Sequence, residues 1–146
     1  FGAEKLLDVD ELPGAADAES DAGDAALTEL QEAFLASEWA DRVPVEAEVA
    51  FETVLAGVAV RGRMDAVFAD ADGGFTVVDW KTGAVPDEAR QHAVGVQLAM
   101  YRLAWAALAG VEPERVRAAF HYVRENTTLR PTDLMTVEAL EALLRP

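Results

Sequence analysis

The chain has 146 residues, 51% of them hydrophobic, and a net charge of −15, which suits one domain with a substantial core. With no Cys, disulfides, zinc–thiolate sites and iron–sulfur clusters are excluded. No apolar run reaches about 18 residues and no secretory signal opens the chain, so the sequence offers no membrane-spanning helix.

In chain order, Phe1 to Leu7 reads as the end of a helix, and residues 8 to 24, rich in Ala, Asp and Gly, as a solvated loop. Leu27, Leu30, Phe34 and Leu35 recur at helical spacing over 25–38, with Asp24 as N-cap. Trp39 to Pro44 is a connector. Val45, Ala47, Val49 and Phe51 alternate loosely in a first strand, 45–55, and Ala56-Gly57 turns the chain into a second. Pro86-Asp87 starts a long helix to about Ala109, with Val94, Leu98, Tyr101, Trp105 and Leu108 as its apolar stripe and Gly110 as its stop. Val116, Ala118, Phe120 and Tyr122 alternate in a further strand, 116–125. Thr136 to Leu144 is a short amphipathic helix. Strands in series, a crossover helix and another strand make an α/β domain with a mixed central sheet of about four strands.

The chemistry gathers on the second and third strands. Gly62 to Phe68 and Phe75 to Gly83 flank Asp-Ala-Asp-Gly-Gly, the pattern of a β-hairpin with a five-residue loop. If Ala69 pairs with Phe75, then Val67 pairs with Val77 and Asp65 with Asp79. Opposed side chains lie roughly 4.5–5.5 Å apart at Cβ, where like charges repel. A buried carboxylate pair calls for a cation between its members. Lys81, two residues beyond Asp79, shares its face. The plainer alternative is an exposed cross-strand ion cluster.

Asp65 followed by Asp79-Trp80-Lys81 resembles the PD-(D/E)xK nuclease superfamily. Gly62-Arg63-Met64-Asp65, Val78-Asp79-Trp80-Lys81-Thr82-Gly83 and Gln97-Leu98-Ala99-Met100-Tyr101 resemble its RecB-type branch, found at the C-terminus of UvrD-, AddA- and RecB-type superfamily-1 helicases. The resemblance covers about residues 44–125 of a single domain spanning 1–146, with an N-terminal helical and acidic region (1–43) and a C-terminal helix (126–146). It implies a restriction-endonuclease-like core. Asp65, Asp79 and Lys81 would be catalytic, and Asp65, Asp79 and the Trp80 carbonyl would hold Mg²⁺ or Mn²⁺, hard cations that favour oxygen ligands. Gln97 and Tyr101, neighbours on one helical face, would support the site or the DNA strand, and Glu48 would brace it; the plainer alternatives are a core tyrosine at helical spacing and an exposed strand glutamate. Some RecB-type nucleases carry a four-Cys iron–sulfur cluster; this chain cannot.

The implied function is phosphodiester hydrolysis on DNA within an ATP-dependent helicase–nuclease of repair and recombination. Helicase domains of the same polypeptide, and a second helicase–nuclease subunit, are the expected partners, with no membrane. The expected setting is the bacterial cytoplasm, at the nucleoid. A catalytically silent DNA-binding or scaffold domain of the same fold is the alternative. RecB-type nucleases also carry a metal-binding His upstream of the G-R-x-D strand. Here no His precedes His92, and Phe1 follows no start methionine, so the chain reads as a fragment that alone cuts DNA weakly or not at all.

The net charge opposes DNA binding, which relies on neutralising phosphates. The first 52 residues hold more than half of the 27 acidic side chains and only Lys5 and Arg42 as bases. Arg61, Arg63, Lys81, Arg90 and Arg102 are expected near the site. His92 is expected on a helix surface and His121 within a strand.

Overall fold

The computed structural model describes residues 5–11 and 24–145. Its elements are β1 (Lys5–Asp8), α1 (Asp24–Leu35), β2 (Glu46–Leu55), β3 (Val58–Ala69), β4 (Phe75–Lys81), α2 (Glu88–Ala109), β5 (Val116–Tyr122), β6 (Thr127–Leu129) and α3 (Val137–Leu144). The architecture is the expected α/β core with a mixed sheet, but among the described residues the sheet has six strands rather than about four. The two unforeseen strands, β1 and β6, are short and lack a pattern of their own. Leu6 and Leu7, read as helical, lie in β1, which pairs parallel with the start of β3, while residues 1–4 and 12–23 of the expected helix end and acidic loop lie outside the described residues.

Local chemistry sets the turns. Ala56 and Gly57 both have positive φ, 50° and 76°, the backbone of a two-residue turn whose twist matches the strands it joins. Asp70 closes the β3–β4 loop by donating its backbone N–H to the Gly74 carbonyl at 2.9 Å and accepting the Thr76 hydroxyl proton at 2.7 Å. The pairing follows the expected register for Ala69 opposite Phe75 and Val67 opposite Val77, but the ladder ends at Ala66 opposite Val78, so the expected Asp65–Asp79 pair is not part of it. Helix α2 begins at the Asp87 cap, whose carboxylate accepts the Arg90 N–H, and ends at Gly110 in left-handed conformation (φ 71°).

Two cores lie on opposite faces of the sheet. On one, α2 packs Val94, Leu98, Tyr101 and Trp105 against Val60, Met64, Val77 and Phe120, with Leu140 of α3 beside them. On the other, Trp39 meets Ala66, Phe68 and Val78, with Phe34 of α1 and Trp80 against them. The expected stripes hold only where a sheet lies beneath them. Leu108 on α2, and Leu27 and Leu35 on α1, are exposed. Strand β5 is buried along almost its whole length on both faces, as a parallel interior strand should be, and does not alternate.

Strands β2 and β3 change their inward-facing side part-way along. Met64 and Val67 both pack against α2, although strict alternation would put them on opposite faces. On β2 the expected inward residues Val45 and Ala47 are exposed, whereas Val49 and Phe51 face the core. The switch falls at Asp65 and Glu48, which the β2–β3 ladder skips, and the φ of Glu48 is 52°.

Candidate active site

Strand β3 is lined by β2 along one edge. Along its other edge β1 covers Val58 to Arg61 and β4 covers Ala66 to Ala69. Gly62 to Asp65 therefore face a gap, and side-chain carboxylates take over the hydrogen bonding there. Asp10 Oδ2 accepts the Arg63 N–H at 3.2 Å, and Asp65 Oδ2 accepts the Trp80 N–H at 2.8 Å. In an extended residue the N–H and C=O lie on the same strand edge, so the Trp80 carbonyl also faces this gap.

Asp79 and Lys81 project towards α2, on the face that carries Val77. Asp79 is 7% exposed and Lys81 6%, and Lys81 Nζ lies 3.0 Å from Asp79 Oδ2 and 4.8 Å from the centre of the Phe120 ring. This burial rules out the exposed ion cluster. Burial pushes the Asp79 carboxyl well above the usual carboxylate range, and its hydrogen bond with Asp65 pushes it further. The Lys81 ammonium offsets this only in part. Two adjacent negative charges are costly in so buried a pocket, so the Asp79 carboxyl holds its proton more tightly than an exposed acid does.

Gln97 and Tyr101 present one face of α2 to this pocket. Gln97 Nε2 donates to the Tyr101 hydroxyl at 2.7 Å, and that hydroxyl donates to Asp10 Oδ1 at 2.7 Å. Burial, then the Asp79 charge and the hydrogen bond to Asp10, raise the Tyr101 phenol far above its ordinary value, so it stays protonated. Gly62 makes room for the packing beneath: a Cβ there would sit 2.9 Å from Phe51 Cζ and 3.1 Å from Val9 Cβ. Phe51 in turn stands edge-on to Tyr101, with centroids 5.9 Å apart.

The remaining expected residues fall elsewhere. Glu48 lies on β2 between the Ala47–Ala66 and Val49–Met64 pairs, where the ladder skips it and Asp65, and its side chain is exposed. Its left-handed backbone costs on the order of 1–3 kcal/mol in a non-glycine residue. His92 is exposed on α2. His121 lies on the far face from Asp79, its ring 6.1 Å from that of Trp80 and its Nδ1 2.8 Å from Thr128 Oγ1, and burial keeps it neutral. Arg102, expected near the site, is structural: its Nε donates to the carbonyls of Pro113 and Val116 at 2.8 and 3.0 Å. Arg61 pairs with Asp8 at 3.4 Å, while Arg63 and Arg90 are exposed.

Asp10 was hidden in what reads as a solvated acidic loop. Its only sequence signal is the apolar Leu6, Leu7 and Val9 just before the acidic run, and Val9 is fully buried.

A sheet with helices on both faces is a nuclease-type fold, and a carboxylate pair lies beside a lysine where two of its strands part. The PD-(D/E)XK nuclease superfamily model matches residues 3–144, and the chain belongs to that superfamily. Among solved structures, a Eubacterium rectale protein described as a "putative exonuclease" is similar at 16% identity and a TM-score of 0.53, over 83% of this chain and 48% of its own. The protein SSO0001 is similar at 17% identity and a TM-score of 0.49, over 84% of this chain and 59% of its own. The chain thus spans about half to three-fifths of the length of these structures. A comparison with curated proteins finds no match.

Proposed function

We propose that this chain is a divalent-metal-dependent DNA nuclease domain that hydrolyses phosphodiester bonds, and that it serves as the nuclease module of an ATP-dependent helicase–nuclease in DNA repair and recombination. The observation that carries the reading is the buried Asp79 beside the half-buried Asp65, with Lys81 at 3.0 Å from Asp79. A buried pair of acids is costly unless a cation or a proton compensates it, and the RecB-like motifs supply the DNA and helicase context.

The donor set suits Mg²⁺ or Mn²⁺. Asp65, Asp79 and the Trp80 carbonyl are hard oxygen donors, and the raised Asp79 carboxyl marks where positive charge is wanted. When bound, the ion supplies a water of lowered pKa and neutralises charge developing on the leaving oxygen. The residues do the rest. Lys81, anchored by Asp79 and packed over Phe120, orients the attacking water and offsets phosphate charge. Asp65 fixes the Trp80 peptide, and with it the carbonyl that faces the gap. Gln97 and Tyr101 close the pocket from α2. Arg63 and Arg90 are exposed cations available to the DNA backbone.

A silent DNA-binding or scaffold domain is the second reading. It is favoured by one observation: among the described residues no group of three His, Cys, Asp or Glu side chains is gathered to hold a metal. The test is degradation of linear DNA in Mg²⁺ or Mn²⁺ by the full gene product, beside its Asp79→Asn variant, with ATP-driven unwinding followed in parallel. The nuclease reading expects cleavage lost and unwinding retained. Undiminished cleavage by the variant would place the chemistry elsewhere, and no cleavage by the wild type would leave the silent domain.

A further inference from the structure

The chain of contacts from Asp10 through Tyr101 to Gln97 has a direction imposed by chemistry. A phenol has one proton to give, and the Tyr101 hydroxyl commits it to Asp10 Oδ1, 2.7 Å away. What remains on the phenol oxygen is acceptor capacity. Gln97, 2.7 Å from that oxygen, can then approach with its NH₂ and not with its carbonyl. The opposite end of the amide, Oε1, is buried and has no hydrogen-bond partner among the described residues. A buried acceptor left this way costs about 1–3 kcal/mol, a cost removed when a donor reaches it.

Asp10 is itself held at both oxygens, since Oδ2 accepts the Arg63 N–H. It ties three parts of the site to one carboxylate: the segment after β1, the Gly62–Asp65 stretch of β3, and α2. Without it, the Tyr101 hydroxyl becomes free to donate to Gln97 Oε1. The amide could then turn over and spend its carbonyl on the tyrosine.

We propose that Asp10 is a positioning residue of this site. Acting through Tyr101, it sets the orientation of the Gln97 amide so that Oε1 is kept as an acceptor for a water at the reaction centre. The inference rests on the nuclease reading and adds to it a residue outside the recognisable motifs. Asp10 touches neither DNA nor the reacting atoms in this scheme.

Two measurements test it. The first is steady-state cleavage of linear DNA in Mg²⁺ by the full gene product carrying Asp10→Ala, Tyr101→Phe, or both. Asp10→Ala should lower kcat about 10-fold, the lower end of the range for residues that orient ligands from behind, with KM for DNA little changed. Asp10→Asn, whose amide oxygen still accepts the phenol proton, should recover most of that loss. In the Tyr101→Phe background, Asp10→Ala should cost nothing further. The second is the ¹⁵N NMR signal of the Gln97 side-chain amide in this chain, slow to exchange in the wild type and shifted and fast-exchanging in Asp10→Ala. A loss that adds undiminished to that of Tyr101→Phe, or a Gln97 amide that does not respond, overturns the proposal. If Asp10→Ala fails to fold, Tyr101→Phe carries the amide test, since it removes the same directing hydroxyl. Absence of cleavage by the wild type overturns the nuclease reading instead, and the amide spectra then decide the Asp10 linkage independently.

Discussion

The Asp65 carboxylate accepts the backbone N–H of Trp80 at 2.8 Å and so replaces the strand hydrogen bond at the point where β3 and β4 part. The same acid lies beside Asp79 and helps to hold that carboxyl well above the usual carboxylate range. One side chain therefore ends the ladder, holds the Trp80 peptide in place and forms half of the acidic pair. The site is a defect in the sheet, filled by carboxylates.

Replacing Asp79 by Asn should separate activity from stability. Asn matches the shape of the protonated acid, so the metal-free variant should melt no lower than the wild type at neutral pH. Cleavage should fall about a hundredfold or more, because a metal centre supplies several kcal/mol of transition-state stabilisation and each 1.36 kcal/mol is tenfold in rate. Thermal melts in EDTA and single-turnover cleavage in Mg²⁺ read the two effects. A variant that melts well below the wild type would show that Asp79 is ionised in the folded state.

The pH dependence of stability follows from the same group. The folded-state pKa of Asp79 is raised, so above the ordinary carboxylate value of about 3.9 the native state keeps a proton that the unfolded chain releases. Stability then falls with rising pH. The contribution is undiminished below about pH 4 and declines towards and through neutrality. Binding of Mg²⁺ should expel that proton, so stabilisation by Mg²⁺ should grow with pH. Melting temperatures at acidic, neutral and mildly alkaline pH, with EDTA or Mg²⁺, should show the wild type losing stability with pH relative to Asp79→Asn. Parallel curves would contradict it.

Gly62→Ala should destabilise the fold by about 1–3 kcal/mol, the usual cost of overpacking. The added Cβ would meet Phe51 at 2.9 Å and Val9 at 3.1 Å, and Phe51 already stands edge-on to Tyr101. Urea denaturation measures this. A change within about 0.5 kcal/mol, typical of neutral surface positions, would mean that the ring moves aside freely.

The arginines should divide into structural and DNA-facing sets. Arg102→Ala should cost about 1–3 kcal/mol through the loss of its hydrogen bonds to the Pro113 and Val116 carbonyls, while DNA affinity stays as it was. Arg63→Ala and Arg90→Ala should leave the melt unchanged and weaken DNA binding, each lowering the salt slope by about 1. Fluorescence anisotropy across a salt series decides between these outcomes. Loss of affinity in Arg102→Ala at unchanged stability would reverse the assignment.

Local pattern alone was enough for the hairpin register, the long helix with its Asp87 and Gly110 boundaries, and the convergence of Asp79 with Lys81. Each depends on neighbours a few residues apart, where a period of two or of 3.6 dictates direction. The PD-(D/E)XK membership was legible for the same reason, since its motif residues lie on adjacent arms of one hairpin. What only the tertiary structure decided depends on distant partners. Strand β1 exists because residues 5–8 pair with β3 some 53 positions later, and that pairing brings Asp10 from an apparently featureless acidic run to Tyr101. Arg102 turned structural because the start of β5 arrives beneath it. The side switch at Asp65 and Glu48 arises between paired strands and is invisible in either alone. Leu27, Leu35 and Leu108 share the period of buried residues, yet burial also requires a surface opposite, and no periodicity encodes where the sheet ends.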